Sequence, residues 1–129
     1  MEKNDFVISL RDHLADLYQT KHYSTYGKGE FEAKKTEEAY SLVRKDPNQP
    51  KDLMGFCFRK DLCSLHPDTK KLYDDIRSFA SRNNIESKLE TKNKIDILTL
   101  KIDKEQYLVS AYVGPLYADN IDVYLFTLA

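Results

Sequence analysis

Apolar residues recur at spacings of one, three and four from Asp5 to Tyr18: Phe6, Val7, Leu10, Leu14, Leu17 and Tyr18, with Arg11, Asp12 and Asp16 falling elsewhere. That period marks one buried face of an amphipathic helix, and Asn4 or Asp5 supplies a side-chain acceptor for its first N–H groups. A second helix is predicted after Pro67 and Asp68, where Leu72, Tyr73, Ile76, Phe79 and Ala80 form the stripe. Asn83 and Asn84 end it, because Asn tolerates the left-handed conformation in which helices stop. A weaker stripe, Ala39, Tyr40, Leu42 and Val43 behind Thr36, predicts a short helix within 32–45.

Elsewhere the period changes to two. In Leu53–Arg59 the residues Met54, Phe56 and Phe58 fall on one side of an extended chain and Leu53, Gly55 and Cys57 on the other. The segments 94–103, 106–113 and 121–128 are rich in Ile, Val, Leu and Tyr and predict a C-terminal three-stranded meander, with Asp103-Lys104-Glu105 as a hairpin link. The last strand is apolar on both faces, which places it inside the sheet. Lys21–Glu30, with two glycines among polar and aromatic residues, reads as a loop, and Pro47 and Pro50 mark a connection. The expected class is α+β: a mainly antiparallel sheet of about four strands, with two or three helices packed on one face.

The 129 residues suit a single globular domain spanning 1–129. A hydrophobic content of 41%, with 15 Phe plus Tyr, is that of a folding chain rather than a disordered one. The balance of 20 Lys plus Arg against 21 Asp plus Glu lacks the positive field of non-specific nucleic-acid binding. Residues 21–60 nevertheless carry nine basic against six acidic groups, a mildly basic middle between two mildly acidic flanks. No apolar signal segment opens the chain, and the longest uncharged run, 106–118, is shorter than the ~20 residues that span a bilayer. A cytoplasmic protein without a membrane segment is expected, with Cys57 and Cys63 as free thiols.

Candidate chemistry is sparse. Cys57, Cys63 and His66 are zinc-type ligands within ten positions, with His22 or His13 able to complete four, but the paired knuckle spacing is absent and no metal or other cofactor is expected. No Ser or Cys lies in a nucleophile motif, and His13 and His66 suit solvated or capping positions. Glu32-Ala33-Lys34 and Glu90-Thr91-Lys92 match a magnesium nuclease triplet by letter, as chance allows in a chain this rich in Glu and Lys. Gly27-Lys28-Gly29 fits neither phosphate-loop spacing. The more informative cluster is His22, Tyr23, Tyr26 and Lys28 in one segment. Tyr107, Tyr112, Tyr117, Tyr124 and Phe126 form a second, in the last strands, with Asp103, Glu105, Asp119 and Asp122 at strand ends. Nine Tyr without any Trp offer amphipathic rings that either pack in the core or anchor a partner.

The expected function is therefore that of a small protein-binding factor: an inhibitor, immunity or antitoxin-like factor, adaptor or chaperone. Its contacts would be Tyr23, Tyr26, Lys28, Tyr117 and Tyr124, and a homodimer through the sheet is compatible with the same composition. The alternative is a small enzyme acting on nucleic acid or a phosphorylated ligand. There His22 would be the acid or base, Glu30 or Glu32 its counterpart, and Lys28 or Lys34 the phosphate holder. The two readings differ in geometry, since the second requires His22 and a glutamate in one cleft.

Overall fold

Helices α1 (Lys3–Leu17) and α2 (Thr69–Arg82) lie where the two apolar stripes place them. In this computed structural model the described residues are 1–27, 31–35, 40–44, 53–114 and 120–128, with 31–35 and 40–44 described as backbone only. Phe6, Val7, Leu10 and Leu14 of α1 are fully buried, as are Leu72, Ile76 and Ala80 of α2. Each large side chain so buried contributes roughly 1.5–3 kcal/mol relative to an exposed one. The helices meet where the Phe6 and Phe79 rings lie 5.7 Å apart.

The helix ends differ from one another. At α2 the Asp68 carboxylate accepts the Lys71 N–H at 2.8 Å, an N-cap of the expected kind. At its far end Asn84 takes φ 58°, and the Ile85 N–H reaches back to the Ala80 carbonyl at 2.8 Å, as the asparagine pair predicts. At α1 the expected cap by Asn4 or Asp5 does not form. The helix begins two residues earlier, so both lie in its first turn, and the Asn4 side chain instead accepts the N–H of Leu53 at 3.0 Å.

Extended structure is more abundant than the sequence period suggests. The strands are β1 (Tyr23–Gly27), β2 (Phe31–Lys35), β3 (Tyr40–Arg44), β4 (Leu53–Arg59), β5 (Glu86–Lys92), β6 (Ile95–Ile102), β7 (Glu105–Val113) and β8 (Asn120–Leu128). Six of them run antiparallel in the order β1-β4-β8-β7-β6-β5, with the β2–β3 hairpin attached to β8. The class is α+β, with two helices among the described residues. Strand β8 lies between β4 and β7, inside the sheet as its two apolar faces require.

Three segments depart from expectation, each because pairing overrides local preference. The segment read as a loop contains β1, whose Tyr-Ser-Thr-Tyr run pairs with β4; Gly27 ends it where the register slips. The helix expected within 32–45 is instead β2 and β3. Glu, Ala and Lys are good helix formers, but intrinsic propensity yields to strand pairing: β2 pairs with β3 and also with Thr127 and Leu128 of β8. Strand β5 is too polar to announce itself, yet it pairs with β6 over seven residues. Two-residue turns, Asn93-Lys94 and Asp103-Lys104, join β5 to β6 and β6 to β7. All four residues have positive φ, the type I′ geometry that matches strand twist.

The buried side chains of both helices and of one sheet face form a single cluster. Among the described residues no helix is long and apolar enough to cross a membrane.

Candidate functional site

Successive strand residues point to opposite faces, so registry sorts the sheet's side chains. Phe56, Phe58, Leu98, Leu100, Val109, Ile121 and Val123 turn toward the helices. The alternate positions, including Tyr26, Gly55, Cys57, Leu108, Tyr112, Asp122, Tyr124 and Phe126, turn to the face that neither helix covers.

On that face three aromatic rings form a row. Tyr26 stacks on Tyr124 at 5.8 Å between centroids and 26° between planes, and Tyr124 on Phe126 at 6.0 Å and 20°. Tyr26 and Tyr124 belong to strands two apart, a backbone separation of about 9.6 Å. They meet because the residue between them, in register with both, is Gly55. A Cβ there would collide with the Val123 carbonyl oxygen and come within 3.0 Å of Tyr124 Cδ1. Beside it the Tyr26 hydroxyl and Cys57 Sγ lie 3.2 Å apart in a hydrogen bond. Tyr26 and Tyr112 remain 39% and 49% exposed, so the row is rimmed by accessible phenols, while Cys57 and Phe126 are 8% exposed.

Local electrostatics hold the protons on the Tyr26 and Tyr124 phenols. The hydrogen bond with Cys57, reinforced by the thiol's charge when ionised and by partial burial, pushes the Tyr26 phenol up to about 12. Burial raises Tyr124, with Asp122 and Cys57 adding to it, and burial alone raises Asp122. Near pH 7 the phenols therefore hold their protons. The face presents the partly exposed rings of Tyr26, Tyr112 and Tyr124, each apolar with a hydroxyl group at its edge.

The structure separates residues that sequence proximity groups together. Tyr23 and Tyr26 are three apart in one strand and so face opposite ways. Tyr23 lies on the helix side, edge-on to Phe58 at 6.3 Å and with the Arg11 guanidinium 4.4 Å from its ring centroid. Arg11 also donates to the Thr25 hydroxyl at 2.8 Å, so Tyr23 packs one side of its ring against α1 while remaining 43% exposed. Tyr107 is buried beneath the helices, whereas Tyr112 and Tyr124 share the uncovered face. Lys28, Glu30 and Tyr117 lie outside the described residues, and Glu32 and Lys34 are described only by backbone. His22 is exposed just before Tyr23, which registers through Phe58 with Ile121, while Glu32 registers with Thr127. Six residues of strand, about 20 Å, separate those backbone positions along the sheet.

The thiols are likewise divided. Cys63 joins the core beneath the helices, where burial raises its pKa, whereas Cys57 turns to the uncovered face. His66 is exposed beside Lys60, Asp68 and Gly114. No three His, Cys, Asp or Glu side chains converge as metal ligands among the described residues. Sequence reasoning missed Gly55 and Cys57 as site residues. The alternation of Leu53-Gly55-Cys57 against Met54-Phe56-Phe58 was their available signal, but their neighbours depend on strands far away in sequence.

No family model, curated protein or solved structure matches this chain.

Proposed function

We propose that this protein is a binding factor that engages another protein through the sheet face opposite its helices. The observation that carries the reading is the stacked row of Tyr26, Tyr124 and Phe126 over Gly55, with Tyr112 exposed nearby. Interfaces draw most of their energy from a few large rings that bury area at small entropic cost, and Tyr is prominent among them. A row already stacked in the free protein loses little further side-chain freedom on binding. Inhibitors, antitoxin-like factors and adaptors act in this way, by occupying a partner's surface.

The test is a set of affinities for a partner recovered by affinity capture with the full chain and then purified. Tyr26→Ala and Tyr124→Ala are expected to weaken binding by about tenfold or more each, the effect of losing an interface anchor. Tyr23→Ala, on the other face, should leave the dissociation constant within about twofold. Equal affinity of the wild type, Y26A and Y124A overturns the reading.

A further inference from the structure

We propose that two copies of this chain join β5 to β5, antiparallel and centred on Leu89, to make one continuous sheet across a two-fold axis. Strand β5 ends the sheet order and, among the described residues, pairs only with β6. It keeps unbroken register over seven residues without Gly, Pro or bulge. The opposite edge, β1, has five residues and a register slip before Gly27.

The turn decides which backbone groups β5 presents outward. A two-residue I′ hairpin closes on a hydrogen-bonded pair, here Lys92 and Ile95, so alternate residues back to Glu86 bond to β6. Consistently, the Lys88 carbonyl accepts from the Thr99 hydroxyl of β6 at 3.5 Å. Ser87, Leu89 and Thr91 therefore turn their N–H and C=O groups to the open edge, the template on which another strand pairs.

The sequence Glu86-Ser87-Lys88-Leu89-Glu90-Thr91-Lys92 is complementary to itself when reversed. Centred on Leu89, Ser87 faces Thr91 of the second copy and Leu89 faces its own equivalent, at the positions with outward backbone groups. Glu86 then faces Lys92, and Lys88 faces Glu90, at the non-hydrogen-bonded positions where side chains come closest. All four charges lie on the uncovered face. The bond between Lys88 and Glu90 within the strand, 2.8 Å with side chains 72% and 53% exposed, can be exchanged for the same bond between copies. Sliding the partner by two residues sets Glu against Glu and Lys against Lys, and sliding it by one presents backbone groups already bonded to β6. A charged edge that served only to repel copies would not alternate in sign to match its own reverse. The two-fold axis stands normal to the sheet, so both Tyr26–Tyr124 rows emerge on the same side.

The experiment is sedimentation analysis of the full chain at protein concentrations up to roughly 100 µM, where any micromolar dissociation constant leaves mostly dimer. Wild type is expected to approach twice the 15.1 kDa chain mass as concentration rises. Lys88→Glu alone and Glu90→Lys alone each set like charges opposite one another twice, and should weaken association by at least about tenfold. An equimolar mixture of the two variants restores opposite charges at both positions and should recover the dimer. Thr91→Pro removes an outward N–H and leaves the backbone bonds to β6 in place, losing besides only the 2.6 Å bond from the Thr91 hydroxyl to Asp96, and should give a folded monomer by circular dichroism; Thr91→Val, which loses that side-chain bond alone, should remain dimeric. A wild type monomeric throughout, a dimer that survives both charge variants, or a mixture that stays monomeric overturns the proposal. The affinities of Y26A and Y124A test the Tyr26–Tyr124 row independently of the β5 edge.

Discussion

The ring of Tyr124 rests over Gly55 of the neighbouring strand, where a single methyl group would collide with backbone. A larger residue cannot be absorbed by a rotamer change, because the obstructing atoms are the Val123 carbonyl and Tyr124 Cα. Gly55→Ala is expected to destabilise the fold by about 3 kcal/mol, the upper part of the range for overpacking. Chemical denaturation measures the loss. Near-ultraviolet circular dichroism should change with it, since the Tyr26–Tyr124–Phe126 stack is displaced.

Tyr18 ends α1 and donates its hydroxyl proton to Asp75 of α2 at 2.7 Å, while Lys71 bonds the same carboxylate oxygen at 2.8 Å. Burial, and then this bond, push the phenol far above its ordinary range. Tyr18→Phe removes one hydrogen bond to a charged group and should cost about 1.5 kcal/mol in urea denaturation. The cost should stay at that level because Lys71 continues to satisfy Asp75.

His13 was expected on the solvated side of α1, yet its ring stacks on Phe79 of α2 at 4.8 Å and its Nε2 lies 2.9 Å from Arg82. Burial and the Arg82 charge lower its pKa, against smaller opposing effects of Asp75 and Asp16. The unfolded chain therefore takes up this proton first. The stability that neutral His13 contributes is complete above about pH 6.5 and is lost as pH falls through the lower folded value. His13→Gln should show a smaller drop in Tm between about pH 7.5 and 5.5 than wild type, measured by thermal scans across that interval.

Asp122 has the reverse sign. Burial raises its pKa, so the favourable protonated state is complete below about pH 3.8 and is lost as pH rises through the folded value. Asp122→Asn removes the burial cost of the charge and should raise Tm at pH 7, with the gain shrinking as pH approaches 4. An equal gain at both pH values would assign the effect to something other than titration.

The helices, the central position of β8 and the C-terminal meander are legible along the chain because their signals are local. An apolar stripe of period 3.6 or a doubly apolar strand states its own burial, and Asp68 and Asn84 occupy the ends of α2 that their backbone preferences favour. Strands β1, β2, β3 and β5 carry no such signal. They are polar or mixed, and what makes them extended is pairing with the backbone groups of β4 for β1, β8 for β2, β2 for β3 and β6 for β5, which no local pattern displays.

The candidate surface follows the same division. The sequence determined that tyrosines would be abundant near both ends of the sheet, and its alternation separated Gly55 and Cys57 from Phe56 and Phe58. Only the tertiary structure decided that Tyr26 meets Tyr124 across Gly55 while Tyr23 turns to α1. Side-chain facing depends on strand register, and register is set by partners 29 and 69 residues away: Tyr26 with Gly55, and Gly55 with Tyr124.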